Sequence, residues 1–178
     1  CVDIGGGTTD VALVQKCNGS DTHICSLCGR VVTKRSAREM NLDYRHAEAR
    51  KLKYSAGALD AKISSKVRSL LQKDLEVWVE GLRIAMESME DVSLFPPYLY
   101  LCGGGAMLAD LRRAVIEYPW SDRLPFVRFP KVSLITPEKL DKIEDRGQEL
   151  KDAMDITPAG LARFAWDQLK YPDRHLTS

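Results

Sequence analysis

The groups best suited to bind an anion lie in one run near the start of the chain, Asp3-Ile4-Gly5-Gly6-Gly7-Thr8-Thr9-Asp10. Glycine reaches positive φ without strain and lets backbone N–H groups come close to a phosphate. Thr8 and Thr9 add hydroxyl donors, and Asp3 stands at a strand end, where its carboxylate could face a metal ion. The run predicts a hairpin that wraps a phosphate; the alternative is a tight hairpin that binds nothing.

Two other glycine-rich phosphate motifs are excluded by context. A P-loop needs a Gly-Lys pair followed by Ser or Thr, and no lysine follows Gly7 in this way. A dinucleotide fingerprint needs Gly-x-Gly-x-x-Gly at the start of a helix. Here the glycines precede residues 8–16, which are β-branched and apolar and therefore favour a strand.

A second glycine turn, Gly103-Gly104-Gly105, lies between a strand-like segment ending at Cys102 and a helical pattern that begins after Met107. The free amides of a helix N-terminus suit an anion or the edge of an adenine. Such a turn alone is common in α/β proteins. Together with the first turn, it predicts a single phosphate site built from both.

A polar face on a helix is a third candidate. Glu48, Lys51 and Ser55 are spaced i, i+3 and i+7, which places all three on one side of a helix. The pattern permits a ligand-binding face, and it equally permits an ordinary solvated Glu/Lys face.

The elements that must position these groups alternate in type. We predict a strand over residues 1–4, a second over Thr8–Lys16, a hairpin turn at Asn18-Gly19-Ser20 and a third strand over Thr22–Cys28. Thr33 is predicted to cap a helix beginning at Lys34, and Asp43 to cap another across Tyr44–Ser55. Steps of three and four between apolar residues predict a long amphipathic helix from Ser65 to Glu90.

The remaining elements complete an α/β order. We predict a strand over Tyr98–Cys102, a helix buried through Leu108, Leu111 and Val115, an extended Arg123–Pro130, a small helix over Pro137–Glu144 and a charged mobile loop over Glu144–Asp155. A last helix is predicted to begin at Thr157-Pro158, with Thr157 as its cap and Leu161, Phe164 and Ala165 on its buried side. The predicted order is βββ–ααα–β–α–(β)–α, an α/β architecture.

Composition limits the class of protein. The 178 residues include 26 Lys and Arg against 25 Asp and Glu, so no basic surface for nucleic acid is indicated. The apolar runs are too short to span a bilayer, and no basic leader with an apolar run marks a signal peptide. The odd count of five cysteines favours reduced thiols and a cytoplasmic location. Because Cys1-Val2-Asp3-Ile4 resembles the end of a buried strand, we expect a fragment of a longer protein.

At these motifs the chain resembles the second half of the actin, sugar-kinase and heat-shock-chaperone ATPase superfamily. Residues 3–10 resemble its second phosphate motif, and Leu101–Met107 its adenosine motif. Val32-Thr33-Lys34, Ala47–Lys53 and the end of the chain from Ile156 to Ala162 resemble the bacterial cell-division protein FtsA and the pilus protein PilM. The resemblance implies a ribonuclease-H-like lobe of actin type, with a mixed sheet that starts with a β-hairpin and is flanked by helices.

The same resemblance implies roles for individual residues, with ATP and Mg²⁺ as cofactors. Asp3 would order water around Mg²⁺. The β- and γ-phosphates would be cradled by Gly5, Gly6, Gly7, Thr8 and Thr9, the adenosine pocket lined by Gly103, Gly104, Gly105 and Met107, and the ribose and adenine contacted by Glu48, Lys51 and Ser55, which match the chaperone pattern Glu-x-x-Lys-x-x-x-Ser.

Two departures from the superfamily are visible. Its first phosphate motif and the segment that positions the attacking water are absent, so we expect this C-terminal half, acting alone, to hydrolyse ATP poorly or not at all. The inserted subdomain that FtsA relatives use to grip a partner is reduced, at about residues 56–94, to a helix. Partner binding by that route is therefore not expected.

The cysteines and the C-terminal residues do not indicate a further site. A zinc site from Cys17, His23, Cys25 and Cys28 is disfavoured, because residues 25 and 28 of a strand point to opposite faces. Residues 171–178 are expected to be disordered. Since Leu161–Leu169 is interpreted as core, no membrane binding is predicted.

Three functions fit the sequence. The first is an ATP-binding actin-like protein of the cell-division or pilus-assembly type, whose nucleotide state controls self-assembly or binding of a protein partner. The second is a chaperone-type ATPase lobe, and the third is a non-hydrolysing scaffold of the same fold.

Overall fold

A computed structural model describes residues 1–15, 18–25, 29–90 and 92–171, which are organised around a five-stranded mixed sheet. Its strands are β1 (Val2–Ile4), β2 (Thr9–Gln15), β3 (Asn18–Cys25), β4 (Tyr98–Cys102) and β5 (Lys131–Leu134). Their spatial order is β3-β2-β1-β4-β5, with β1 antiparallel to β2 and parallel to β4. The predicted mixed sheet with a hairpin at its start is confirmed.

Six α-helices occur in the described residues: α1 (Gly29–Glu39), α2 (Tyr44–Ser55), α3 (Ala61–Glu87), α4 (Ala109–Glu117), α5 (Trp120–Arg123) and α6 (Ile156–Lys170). Short 3₁₀ turns cover Gly104–Met107 and Pro137–Lys139. The expected cap of α2 is present, since the Asp43 side chain accepts a hydrogen bond from the backbone N–H of His46.

Helix α3 supplies much of the core. Its start is fixed by Asp60, whose side chain accepts a hydrogen bond from the backbone N–H of Ile63. Its buried positions recur at helical spacing and are Val67, Leu71, Leu75, Trp78, Val79, Leu82 and Met86. Each such side chain contributes about 1.5–3 kcal/mol when removed from water. Between residues 56 and 94 the described residues form this one helix.

The predicted hairpin turn at Asn18-Gly19-Ser20 is wrong, because these residues belong to β3. Gln15 pairs with Asn18, and the register shifts between the pairs Leu13↔Asp21 and Val14↔Gly19. That shift leaves one extra residue on β3, which is a β-bulge, and glycine is a frequent residue there.

Helix α1 begins earlier than predicted. It starts at Gly29, so Thr33 lies inside the helix and does not cap it, and the Thr33 hydroxyl is 3.1 Å from the Gly29 carbonyl oxygen. Further along the chain, the extended segment was predicted over Arg123–Pro130, whereas strand β5 covers Lys131–Leu134. The expected helix over Pro137–Glu144 is only a 3₁₀ turn at its beginning.

The prediction for the last helix is also wrong in detail. Asp155, not Thr157, is the N-cap of α6, and the buried residues are Ile156 and Ala159, in its first turn. The side chains expected in the core are exposed, with Leu161 at 63% and Phe164 at 59% of full exposure. Periodicity identifies the apolar side of a helix, but it cannot show whether another element covers that side.

The described helices include none that combines the length and the apolar character needed to cross a membrane.

A buried hydrogen bond joins α3 to the sheet next to the first glycine turn. The indole Nε1 of Trp78 donates to Oγ1 of Thr9 at 3.1 Å, and both residues are at most 5% exposed. Thr9→Val should leave the indole N–H without this acceptor and lower the free energy of unfolding by about 1–3 kcal/mol. Urea denaturation followed by circular dichroism measures the loss.

Thr8→Val, at the exposed neighbouring position, is the control and should change stability much less. Trp78→Phe combined with Thr9→Val should be less destabilising than the sum of the single changes, because neither partner then remains. If the Thr9→Val variant were as stable as the wild type, the hydrogen bond between Trp78 and Thr9 would not have the stabilising role assigned to it.

Candidate functional site

The two glycine turns lie side by side at one edge of the sheet. Because β1 and β4 are parallel neighbours, with Asp3 paired to Cys102, their carboxyl ends meet at the same edge. In open α/β sheets this edge is where ligands bind. The first turn is closed by a 2.9 Å hydrogen bond from the Gly5 N–H to the Thr8 carbonyl.

The second turn has to be glycine because the end of β1 is so close. Gly103 has a φ of +82°, and a Cβ there would lie 2.7 Å from the Ile4 carbonyl oxygen. A Cβ on Gly105 would lie 2.3 Å from Cγ2 of Ile4. The absence of side chains at these two positions lets the turns touch.

A cavity of about 570 Å³ opens between the two turns, within the range of about 300–1,000 Å³ found for small-molecule sites. Backbone atoms of glycines form its polar edge, and apolar side chains from α1, α2, α3 and α4 form its walls. Eight of the sequence-predicted site residues line it: Gly5, Gly6, Glu48, Lys51, Ser55, Gly104, Gly105 and Met107.

The other five predicted residues do not line this cavity: Asp3, Gly7, Thr8, Thr9 and Gly103. Gly7 and Thr8 are exposed on the first turn beside it, and Gly103 is buried against β1. The role expected of the Thr9 side chain needs correction. It is fully buried and accepts from Trp78, so its hydroxyl holds α3 and is not directed at a phosphate.

Asp3 is engaged by the last helix. The Thr157 hydroxyl, expected to cap α6, donates to Oδ2 of Asp3 at 2.6 Å. Asp3 is half-buried, and its other oxygen faces Gly103, where an added Cβ would lie 2.2 Å from Oδ1. A single carboxylate in this position is compatible with Mg²⁺, which keeps several waters and is usually bound through one or two carboxylates together with substrate phosphates.

One face of α2 carries Glu48, Lys51 and Ser55, as their spacing predicted. Each of these side chains forms hydrogen bonds or an ion pair. Glu48 Oε2 lies 2.9 Å from Lys51 Nζ and 2.5 Å from Oγ1 of Thr33. Lys51 also donates to that Thr33 hydroxyl at 3.0 Å. Ser55 Oγ donates to the Met107 carbonyl at 3.2 Å. These bonds tie α2 to α1 and to the second glycine turn.

The charge of Glu48 is stabilised in this network. Partial burial alone would raise the pKa of its carboxyl, but hydrogen bonds from Thr33 and Lys51, with the Lys51 charge, hold that pKa below its ordinary value. Glu48 is therefore ionised and paired with Lys51 at neutral pH.

Several cavity residues were not predicted. Val31, Leu52, Asp74, Leu75 and Trp78 line it from three helices. Asp152 and Met154 come from the loop that was expected to be mobile, and that loop is joined to the second turn by a 2.8 Å hydrogen bond from the Gly103 N–H to the Ala153 carbonyl. No motif marks these residues, because only packing brings them to the site.

In the ranges that the structure describes, no three His, Cys, Asp or Glu side chains are grouped to hold a metal ion directly. Two of the zinc candidates, Cys17 and Cys28, lie outside the described residues.

Comparison with solved structures identifies the fold. The ethanolamine utilization protein EutJ from Carboxydothermus hydrogenoformans superposes with a TM-score of 0.63 and 18% identity, over 92% of this chain and 48% of EutJ. A chain of the PilM-PilN type IV pilus biogenesis complex superposes with a TM-score of 0.60 and 21% identity, over 92% of this chain and 44% of that one. The chain thus spans about half the length of these relatives.

The chain has the fold of an actin-like ATPase lobe, as the resemblance in its two glycine motifs implied. No protein-family model matches the chain, and no curated protein matches its sequence.

The low pKa of Glu48 predicts a pH-dependent contribution to stability. Glu48→Gln should lower the free energy of unfolding at pH 7 by about 1 kcal/mol, because it removes an ion pair that is only partly exposed. A depressed carboxylate pKa stabilises the fold above the ordinary value of 4.5, and the stabilisation is lost as the pH falls through the lower folded-state value. The difference between variant and wild type should therefore shrink below about pH 4.5.

Urea denaturation at pH 7 and at acidic pH measures this difference. Glu76→Gln, at an exposed position on α3, is the control and should show little change at either pH. A Glu48→Gln penalty that persists unchanged in acid would contradict the assignment.

Proposed function

We propose that this chain is the C-terminal, nucleotide-binding lobe of an actin-like protein and that its cavity binds ATP with Mg²⁺. The observation that carries the proposal is that two glycine turns meet at one cavity of about 570 Å³, which Gly5 and Gly6 of the first turn and Gly104 and Gly105 of the second turn line. Exposed backbone amides at a sheet edge bind phosphate, and the apolar walls suit a purine base.

The residues divide between the two ends of the nucleotide. Amides of Gly6 and Gly7, with the Thr8 hydroxyl, would hold the β- and γ-phosphates, while the Gly5 N–H keeps the turn closed on the Thr8 carbonyl. Gly103, Gly104, Gly105 and Met107 would surround the adenosine, and the α2 face of Glu48, Lys51 and Ser55 would meet the ribose and adenine. Bound Mg²⁺ would neutralise phosphate charge, with Asp3 contacting it through water. Thr9 is not among the residues that we propose to bind phosphate, because its hydroxyl is buried.

The proposed ligand would meet a preformed polar face. Lys51 and Glu48 already bond to each other and to Thr33, so a ribose hydroxyl would add to this network without having to order it. Side chains whose positions are already fixed lose less entropy on binding. The same bonds hold α2 at the distance from the glycine turns that leaves the cavity open.

The wider role rests on the fold and on one relative. PilM is found in a complex with PilN, which supports a protein partner for an actin-like lobe of this kind. We therefore favour a cytoplasmic protein of the pilus-assembly or cell-division type, with assembly or partner binding controlled by the nucleotide. Hydrolysis requires groups on both sides of the phosphates, and this lobe supplies one side.

A glycine substitution tests the site. Gly6 is exposed, and a Cβ there would have only Nε of Arg30 nearby, at 3.9 Å, so Gly6→Val should fold. Its side chain would stand over the amides of the first turn and should weaken ATP binding by about tenfold or more. Isothermal titration calorimetry of the 178-residue chain with Mg²⁺ and ATP measures the affinity.

The matched control is Gly160→Val on α6, where an added Cβ meets nothing within 4 Å and which lies outside the cavity. It should bind ATP as the wild type does. No ATP binding by the wild-type chain, or equal affinity in Gly6→Val, would refute the proposed site.

A further inference from the structure

The side chain of Arg30 lies over the first glycine turn. The helix that carries it, α1, is attached to that turn, because the Arg30 N–H donates to the Gly6 carbonyl at 3.0 Å and the Gly29 N–H to the Gly5 carbonyl at 3.4 Å. A Cβ placed on Gly7 would lie 3.6 Å from Nη1 of Arg30 and 3.8 Å from Nη2. The guanidinium therefore lies next to the amides proposed to bind phosphate.

Unlike two other cations near the cavity, Arg30 has no carboxylate partner among the residues that the structure describes. Arg35 pairs with Asp74 at 2.5 Å, and Lys51 pairs with Glu48 at 2.9 Å. Arg30, which is exposed, forms no side-chain hydrogen bond or ion pair with any residue that the structure describes. No described carboxylate compensates its charge, which is therefore available to an anion at the turn.

The carboxylates nearest the turn are also engaged. Asp10 accepts from the Thr8 hydroxyl at 3.1 Å, and Asp3 accepts from Thr157 at 2.6 Å. Neither forms an ion pair with Arg30. A phosphate at the amides of Gly6 and Gly7 would thus lie beside the Arg30 guanidinium.

We propose that Arg30 is a phosphate-contacting residue that makes this site select nucleoside di- and triphosphates over the nucleoside. The proposal rests on the proposed function, since it concerns the phosphate end of the same site. A guanidinium donates two parallel hydrogen bonds to a phosphate, and such charge-assisted bonds are stronger than those from neutral amides. The Arg30 contact would strengthen the binding of the distal phosphates, which the turn amides also hold. It would not change the contacts with the base and the ribose.

The test compares ligands that differ only in their phosphates. The 178-residue chain is titrated calorimetrically with adenosine, AMP, ADP and ATP, in Mg²⁺ and at several salt concentrations. Arg30→Ala should weaken ATP and ADP binding by about tenfold and leave adenosine within about twofold. It should also reduce the dependence of ATP affinity on salt, because one charge contact is lost. Arg30→Lys should recover part of the affinity, since it keeps the charge without the planar fork.

The matched control is Arg38→Ala, which removes an exposed arginine of the same helix whose guanidinium lies 3.4 Å from Glu39. It should bind ATP as the wild type does, and circular dichroism should show all variants folded. Wild-type ATP affinity in Arg30→Ala would overturn this inference and leave the proposed function standing. Equal weakening of adenosine and ATP would also overturn it, by showing a structural role. Failure of the wild-type chain to bind any of the four ligands would refute the proposed function itself, and the phosphate contact with it.

Discussion

The parallel pairing of β1 with β4 is the constraint on which the site depends. It brings the ends of two strands that are about a hundred residues apart to one edge of the sheet. At that edge the backbones come so close that side chains at 103 and 105 would overlap the end of β1. Glycine is therefore required for packing there, whether or not a ligand binds. The amides and the cavity follow from this close approach.

The other elements hold the cavity open around this contact. On one side, Thr33 of α1 bonds with Glu48 and Lys51 of α2, and Ser55 continues the connection to the second turn. On the other side, the loop before α6 is attached through Gly103 to Ala153. The buried Trp78 of α3 forms part of the wall while its indole N–H is bonded to the sheet, so the wall and the core share one residue.

Local signals in the sequence predicted what local geometry determines. The tendency of the glycine runs to form turns, the Asp43 cap, the period of α3 and the shared face of Glu48, Lys51 and Ser55 all depend on neighbours within a few residues. The predictions that were wrong concern residues with distant contacts. Thr33 and Thr157 were both predicted to cap helices, but the Thr33 side chain bonds to α2 and the Thr157 side chain bonds to Asp3. The apolar side of α6 is present, yet no periodicity could show that it is exposed. The contribution of residues 152 and 154 to the cavity had no sequence signal at all.

The most direct test is a crystal structure of the 178-residue chain with Mg²⁺ and a non-hydrolysable ATP analogue. We predict that the polyphosphate lies within hydrogen-bonding distance of the backbone amides of Gly6 and Gly7, with the base between α2 and the turn at residues 103–105. A nucleotide bound elsewhere on the surface, with the space between the two turns filled only by water, would contradict it.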